Sequence, residues 1–461
     1  MIFAYSLLGL LIAIIEIRRL KLQLPINSLT LFNGAYFLFF VIPPIGIVLL
    51  GEDAVRQKYA YRMWGYGDFF TAFSLIFSYI CFVFGYFHRK KHTSRQFHTT
   101  ISTPNVLNIT MLFLLLGAVG MLYHISLVGD VFRTLKLAPI IRSGQFPLEG
   151  NYLFIRQLST FISTAFMLMF ALYIDVDSTA SSNQRCKASS RKYFIILTLL
   201  TVFFVYYALS TYGRREFVYP VFICLLIWLN SEKKRSWGVL VFLSAVCLIW
   251  FFIYSFVIPY FLHSMGDLPP ESQIPPATIV KNAYFGILQA LGDSFMHFVA
   301  AEQAELWQFG FLTDIWEIPL QMLPSQLLGF ERPRGMFGET SQFILGRPLE
   351  HGLSGEEPLG MHGYLLVNFS YAGMFFVFYL FGRMIQKLDK VLRPSGTGSA
   401  IEWLVYLWLI WAALEFLREG VLILVIKPHL SWWLAICILL WLSRRSLQRK
   451  NLVNSNRDIC S

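Results

Sequence analysis

Long, nearly uninterrupted apolar runs decide what this chain can fold into. They begin near Ile2, Leu29, Asp68, Val106, Tyr152, Tyr193, Glu216, Gly238, His362, Ile401 and Val421. A helix needs about 20 mostly apolar residues to cross a hydrocarbon core of about 30 Å, and an apolar solvent tolerates a spanning backbone only when its own hydrogen bonds are closed. Of the 461 residues, 56% are hydrophobic and only 14% charged, too few polar groups to cover a soluble core of that size. The runs therefore predict an all-α polytopic membrane protein with about eleven transmembrane helices.

Charge sets the orientation. The formal net charge is +11, which would suit a nucleic-acid partner, but the cations sit in short clusters between apolar runs. Arg18/Arg19/Lys21, Arg89/Lys90/Lys91/Arg95, Arg185/Lys187/Arg191/Lys192, Lys233/Lys234/Arg235, Arg383/Lys387/Lys390/Arg393 and the tail from Arg444 to Arg457 follow alternate runs. Basic loops stay on the cytoplasmic side, so the N-terminus is expected outside and the C-terminus inside, with no nucleic-acid partner. The first run ends in Arg18 and Arg19 without a small-residue cleavage site, unlike a secretory signal. None of the six cysteines falls in an outer loop by this topology, so neither a disulfide nor a thiolate metal site is expected. Three segments follow: helices one to eight over 1–258, a large outer loop over 259–361, and three helices with a basic tail over 362–461.

The loop is rich in apolar and aromatic residues. Val280, Tyr284, Ile287, Leu291, Phe295 and Phe298 recur at helical spacing, opposite Lys281, Asn282, Gln289, Asp293 and His297. That pattern predicts an amphipathic helix lying on the membrane or capping the bundle. A solvated face would account for Asp293, His297, Glu302 and Glu305.

Cations left on the outer side are mostly arginines: Arg56, Arg62, Arg133, Arg142, Arg156, Arg214, Arg215, Arg332, Arg334, Arg347 and Arg418, against Lys58, Lys136, Lys281 and Lys427. A planar guanidinium suits bidentate phosphate recognition; contact with lipid head groups is the competing reading. Two arginines stand in the short turn Thr211-Tyr-Gly-Arg-Arg-Glu216, at the depth of a lipid diphosphate. Arg418-Glu419-Gly420 is expected to form a second outer turn. Beyond it, Lys427-Pro428-His429 lies about 10 Å into the last helix at ~1.5 Å per residue, where the proline should kink the helix. His362 opens the ninth run, with Gly373 eleven positions later, and its side chain titrates near neutral pH. No metal-ligand spacing, serine-nucleophile elbow or phosphate-binding glycine loop is present.

These residues resemble the Wzy-type oligosaccharide repeat-unit polymerases, including the polymerase of enterobacterial common antigen. The likeness lies in the helix arrangement with a large loop before the last three, in Gly213-Arg214-Arg215, in Ile318-Pro319 through Arg332-Pro333, and in Leu417-Arg418-Glu419-Gly420. His362 with Gly373 is similar to the histidine-plus-glycine motif of O-antigen ligases, although Gly363 stands where a small polar residue is usual there. The resemblance implies a GT-C-like, metal-independent membrane glycosyltransferase at the periplasmic face of the bacterial inner membrane. It would use no cofactor. Its partners would be the polyprenyl-diphosphate-linked oligosaccharide, as donor and as acceptor, the lipid bilayer and a chain-length regulator. The implied roles are base for His362, alternate base for Glu419, and diphosphate binding for Arg215, Arg214, Arg418 and Arg156. Trp307 and Trp316 would read the sugars. An O-antigen ligase and a lipid-linked oligosaccharide flippase remain the alternatives; a flippase would show two related halves.

Overall fold

The computed structural model describes residues 2–21, 27–50, 67–88, 103–142, 153–180, 184–211, 214–231, 291–302, 315–316, 318–322, 359–394 and 398–443. Among these, 93% are helical and none is in a strand. The run expected from Gly238, and Trp307 with most of the 259–361 stretch, lie outside the described residues.

In chain order the helices are α1 (Ile2–Lys21), α2 (Ser28–Phe40), α3 (Ile42–Leu50), α4 (Phe69–Phe87), α5 (Thr103–Val128), α6 (Val131–Arg142), α7 (Phe161–Ala180, led in by a 3-10 turn over Leu153–Thr160), α8 (Gln184–Thr211), α9 (Arg214–Ser231), α10 (291–302), α11 (Ile318–Met322), α12 (Gly360–Leu392), α13 (Ala400–Glu419), α14 (Leu422–Ile426) and α15 (Leu430–Ser443). Among the described residues, seven stretches are long and apolar enough to cross a membrane: Ser28–Leu49, Phe69–Phe87, Thr103–Val128, Ile155–Asp177, Ser190–Thr211, Gly360–Leu392 and Ala400–Glu419. The chain is thus an all-helical, polytopic membrane protein. Exposed Phe69, Phe73, Phe77 and Phe84 run along α4, an apolar row suited to contact with lipid.

Local signals explain where several helices start and stop. Asn27 caps α2, its side chain accepting from the Thr30 amide, and Asp68 forms a reciprocal capping box with Thr71 at the start of α4. Such caps contribute roughly 1 kcal/mol each. Pro43 and Pro44 stand in the first turn of α3, where the missing amide costs least. The last run is broken as Pro428 requires: α14 stops at Ile426, Lys427–His429 form a turn, and α15 begins at Leu430.

The chain divides into two compact units. The first comprises Met1–Ser94, Gln273–Val391 and Ile410–Lys427; the second comprises Arg95–Ser272, Leu392–Leu409 and Pro428–Ser461. In the first unit α4 and α12 meet backbone to backbone. A Cβ on Gly85 would lie 2.0 Å from the Tyr379 carbonyl oxygen, and one on Gly382 would lie 2.1 Å from that of Phe82. Phe32 of α2 stacks on Phe82 and sits beside Phe381.

The first unit departs from the sequence expectation in two places. Helix α12 is not one straight rod. Ser370 has φ 58 and ψ −174, and the His362 and Phe378 rings have centroids 4.4 Å apart. Sixteen residues of straight helix would separate them by about 24 Å, so the chain reverses at Ser370 and 360–369 folds back along the helix that follows. His362 is therefore carried into the interior rather than standing at the outer mouth of a transmembrane helix. The second departure is α10. Residues 294–301 are all buried, His297 at 1% exposure, and Asp293 and Glu302 are half-buried. Tyr5, Pro43, Thr71 and the fold-back arm surround it, and a helix enclosed on all sides cannot keep a solvated face. Over its described part, the expected amphipathic surface helix is a buried one.

In the second unit α5 lies against α7 and its 3-10 lead-in. Gly117 meets Ile162, and Gly120 meets the main chain of Leu158 and Ser159. Phe166 stacks on Phe204. The N-terminal end of α13 is capped by Asp175, whose carboxylate accepts from the Ala400 amide at 2.6 Å. Thr164 donates to Ser431, and Trp408 stacks on Trp432.

Candidate functional site

The fold-back arm places His362 in a box of aromatic rings: Phe40 of α2, Phe298 of α10 and Phe378 of α12. The side chain is fully buried. Its Nε2 lies 2.9 Å from the Tyr36 hydroxyl oxygen, and that hydroxyl donates to the Leu75 carbonyl at 2.8 Å. A tyrosine has one proton to give. In the tautomer with its proton on Nε2, His362 donates to Tyr36 while Tyr36 donates to Leu75. Nδ1 then carries a lone pair, and among the described residues it has no hydrogen-bond partner. A buried acceptor without a partner costs about 1–3 kcal/mol, a cost seldom retained unless something else occupies that direction during function.

The Arg418-Glu419-Gly420 turn stands next to the base of this arm. Gly420 adopts φ +77, and a Cβ there would lie 2.2 Å from the Gly360 carbonyl oxygen. Ser294 of α10 donates its hydroxyl to the Arg418 carbonyl at 2.6 Å. Arg418 Nη1 is 3.5 Å from Glu419 Oε1, and Glu419 is only 5% exposed. Thus α10 touches both halves of the arrangement one helical turn apart, the turn through Ser294 and His362 through Phe298. Glu415, one turn earlier on α13, is buried with one carboxylate oxygen lacking a hydrogen-bond partner among the described residues.

Beyond the arm, Glu302 closes α10. Its carboxylate accepts from Tyr371, the residue after the reversal, at 2.7 Å, and from the Thr71 hydroxyl. Burial, then the charge of nearby Asp68, push its carboxyl up from the ordinary range, against the pull of the two hydroxyls. Elsewhere in the unit, the buried polar groups are chained: Tyr79 donates to Asn33, Asn33 to Glu16, and Arg19 to Glu16. Asp389 accepts from Ser28 and Tyr86, with Asn27 donating to Tyr86.

His362, Arg418 and Glu419 therefore belong to one neighbourhood in the first unit. Arg156, Arg214 and Arg215 belong to the second. Arg156 lies on the 3-10 lead-in to α7, close enough to His124 of α5 to act on its charge. Arg214 and Arg215 open α9, followed by Glu216; their side chains fall outside what the structure describes. Trp316 is exposed. Among the described residues, no group of three His, Cys, Asp or Glu side chains is placed to hold a metal.

Sequence reasoning missed Tyr36, Ser294, Phe298 and Thr71, which position the histidine arm, because nothing in an apolar run marks one tyrosine or serine over its neighbours. No protein-family model, no curated protein and no solved structure matches the chain.

Proposed function

We propose that the protein is a polymerase joining polyprenyl-diphosphate-linked oligosaccharide repeat units at the outer face of the inner membrane. The observation that carries this reading is the buried, partnerless Nδ1 lone pair of His362, beside an Arg-Glu-Gly turn. An acceptor hydroxyl attacks the anomeric carbon of the growing glycan. Its proton passes to Nδ1 as the new C–O bond forms. The old bond to the diphosphate breaks, and its electron pair leaves on the polyprenyl diphosphate. The imidazolium keeps its Nε2–H bond to Tyr36, which fixes the ring while the base works. Glu419, which already has Arg418 beside it, is the alternate base. Arg418, in the same unit as His362, takes the diphosphate, whose charge grows as it departs; Arg215, Arg214 and Arg156 are the further diphosphate-binding candidates that the resemblance implies. The donor carries its own activation, so no nucleotide enters the reaction.

The glycan ladder of a deletion strain tests the reading. Loss of a polymerase leaves lipid A core bearing a single repeat unit. Bare core with polymer still held on the lipid carrier would instead assign a ligase. Repeat units retained on the cytoplasmic side would assign a flippase.

A further inference from the structure

Three residues on one face of α10, four apart, touch the fold-back arm along its length. Ser294 lies against Gly360 and donates to the Arg418 carbonyl at the arm's start, Phe298 meets His362 and Gly363, and Glu302 accepts from Tyr371 where the arm ends. The first two contacts are made by neutral groups. The third ends on a carboxyl, in a cluster whose protons do not balance when every acid is ionised. The Thr71 hydroxyl is hydrogen-bonded to Glu302 Oε2 and lies 3.2 Å from Asp68 Oδ1. It has one proton to give, and it also accepts from the Asp68 amide at 3.2 Å. With both carboxyls ionised, one of them turns a lone pair toward the lone pairs of the threonine oxygen, and two negative charges face each other across a single hydroxyl. One added proton closes the chain. Glu302 then donates to Thr71, Thr71 donates to Asp68, and the second Glu302 oxygen still accepts from Tyr371 at 2.7 Å. The proton belongs on Glu302, because Asp68 caps α4 and accepts the Thr71 amide at 2.8 Å, a place that favours a charged carboxylate. Burial, and then the Asp68 charge, act on Glu302 in the same direction. Tyr371 of α12 and Tyr5 of α1 are the other titratable groups that face it, and Asp293 and His297 stand on α10 itself. Among the described residues no cation is placed to hold Glu302 ionised.

We propose that Asp68 and Glu302 form a carboxyl pair bridged by the Thr71 hydroxyl, that the pair holds one proton, and that this proton locks the elbow of the histidine arm. With the proton bound, the Glu302–Thr71–Asp68 chain is closed and Tyr371 is held. When the proton leaves to solvent water, the two carboxylates repel and the end of α10 loosens from the elbow. Glu302 is thus a positioning residue that acts on His362 through Tyr371. That the lock regulates polymer formation rests on the polymerase reading; the proton and its hold on the arm do not.

The test uses the full-length protein in phosphatidylcholine nanodiscs, without substrate. The infrared C=O band of protonated carboxyls is followed from about pH 4 to about pH 8, a range that begins near the ordinary glutamic acid pKa of about 4.3. A band that persists above that pKa and is missing from Glu302→Gln is expected, and Asp68→Asn should move its loss to lower pH. In the same discs, hydrogen exchange of the 360–369 amides, corrected for its intrinsic pH dependence, should quicken about 3- to 10-fold as the band is lost, the scale of one neutral hydrogen bond. Glu302→Gln offers Thr71 an amide N–H where the acid offers its O–H, so its arm should stay protected across the range. Tyr371→Phe cuts the link and should leave the arm equally exchangeable at both ends of the range while the Glu302 band remains. If Asp68→Asn does not fold, since it alters a helix cap, Glu302→Gln and Tyr371→Phe carry the test. Absence of a Glu302 band above the ordinary pKa overturns the shared proton, and arm exchange that ignores the loss of the band overturns the lock. No polymer is measured, so the lock and the polymerase reading fail separately.

Discussion

The two units bury polar groups in opposite ways. In the first, buried polar side chains reach across helices and satisfy one another: Tyr79, Asn33, Glu16 and Arg19 form one chain, and Asn27, Tyr86, Ser28 and Asp389 another. The Nδ1 of His362, the hydroxyls of Ser74 and Ser78 and one carboxylate oxygen of Glu415 stay outside these chains, buried without a hydrogen-bond partner among the described residues. In the second, most hydroxyls bond locally, as Thr201 and Thr211 do to carbonyls one turn back. Packing there relies on small residues and stacked rings, and His124, Trp403 and Trp433 keep buried ring nitrogens without a hydrogen-bond partner among the described residues.

Substitutions at His362 should do the most to break that contrast. His362→Gln keeps a donor toward Tyr36 and removes the base, so polymer formation should fall about 10²–10⁴-fold with little change in thermal stability. Near-normal ladders would move the base to Glu419. Next in size is Arg215→Ala, expected to cost about 1.5–3 kcal/mol of diphosphate binding. Arg215→Lys should recover only part of it, because an ammonium offers no planar fork; full-length ladders from inserted Arg215→Ala protein would remove this residue from the site.

Gly420→Ala should act on stability rather than on chemistry directly. A left-handed backbone costs a non-glycine residue about 1–2 kcal/mol, and the new methyl would overlap the Gly360 carbonyl, so the denaturation midpoint of the purified protein should drop measurably. An unchanged midpoint would mean the turn and the arm are not in contact. The smallest effect concerns Glu302. Its carboxyl is raised in the folded protein, so the folded state holds this proton more tightly than the unfolded chain does. That contribution is complete below the ordinary carboxylate pKa and is lost as pH rises through the higher folded value. Glu302→Gln should flatten this part of the pH dependence of thermal stability; an identical profile would show that Glu302 does not titrate in that window.

Much of the helical layout could be read from the chain because membrane insertion writes itself into length and apolarity. The starts at Ser28, Phe69 and Ala400 fall within a residue of the expected runs, and Pro428 broke its helix. The reversal at Ser370 could not be read. Asn368-Phe-Ser-Tyr371 contains neither glycine nor proline, and the bend is held by contacts remote in sequence: Tyr371 with Glu302, Gly363 with Phe298 and Leu359. The burial of α10 was hidden for a related reason. Its Asp293, His297 and Glu302 look like a wet face until the partners that enclose them are known. In the candidate site, His362, Arg418 and Glu419 were visible as residues, but the contacts that hold the His362 ring, with Tyr36, Phe40, Phe298 and Phe378, come from elements remote in sequence.

The glycine seam between α4 and α12 also fixes what the first unit can tolerate. With Gly85 against the Tyr379 carbonyl and Gly382 against that of Phe82, these two helices interlock like the teeth of a zip, and any side chain larger than hydrogen at either position forces them apart.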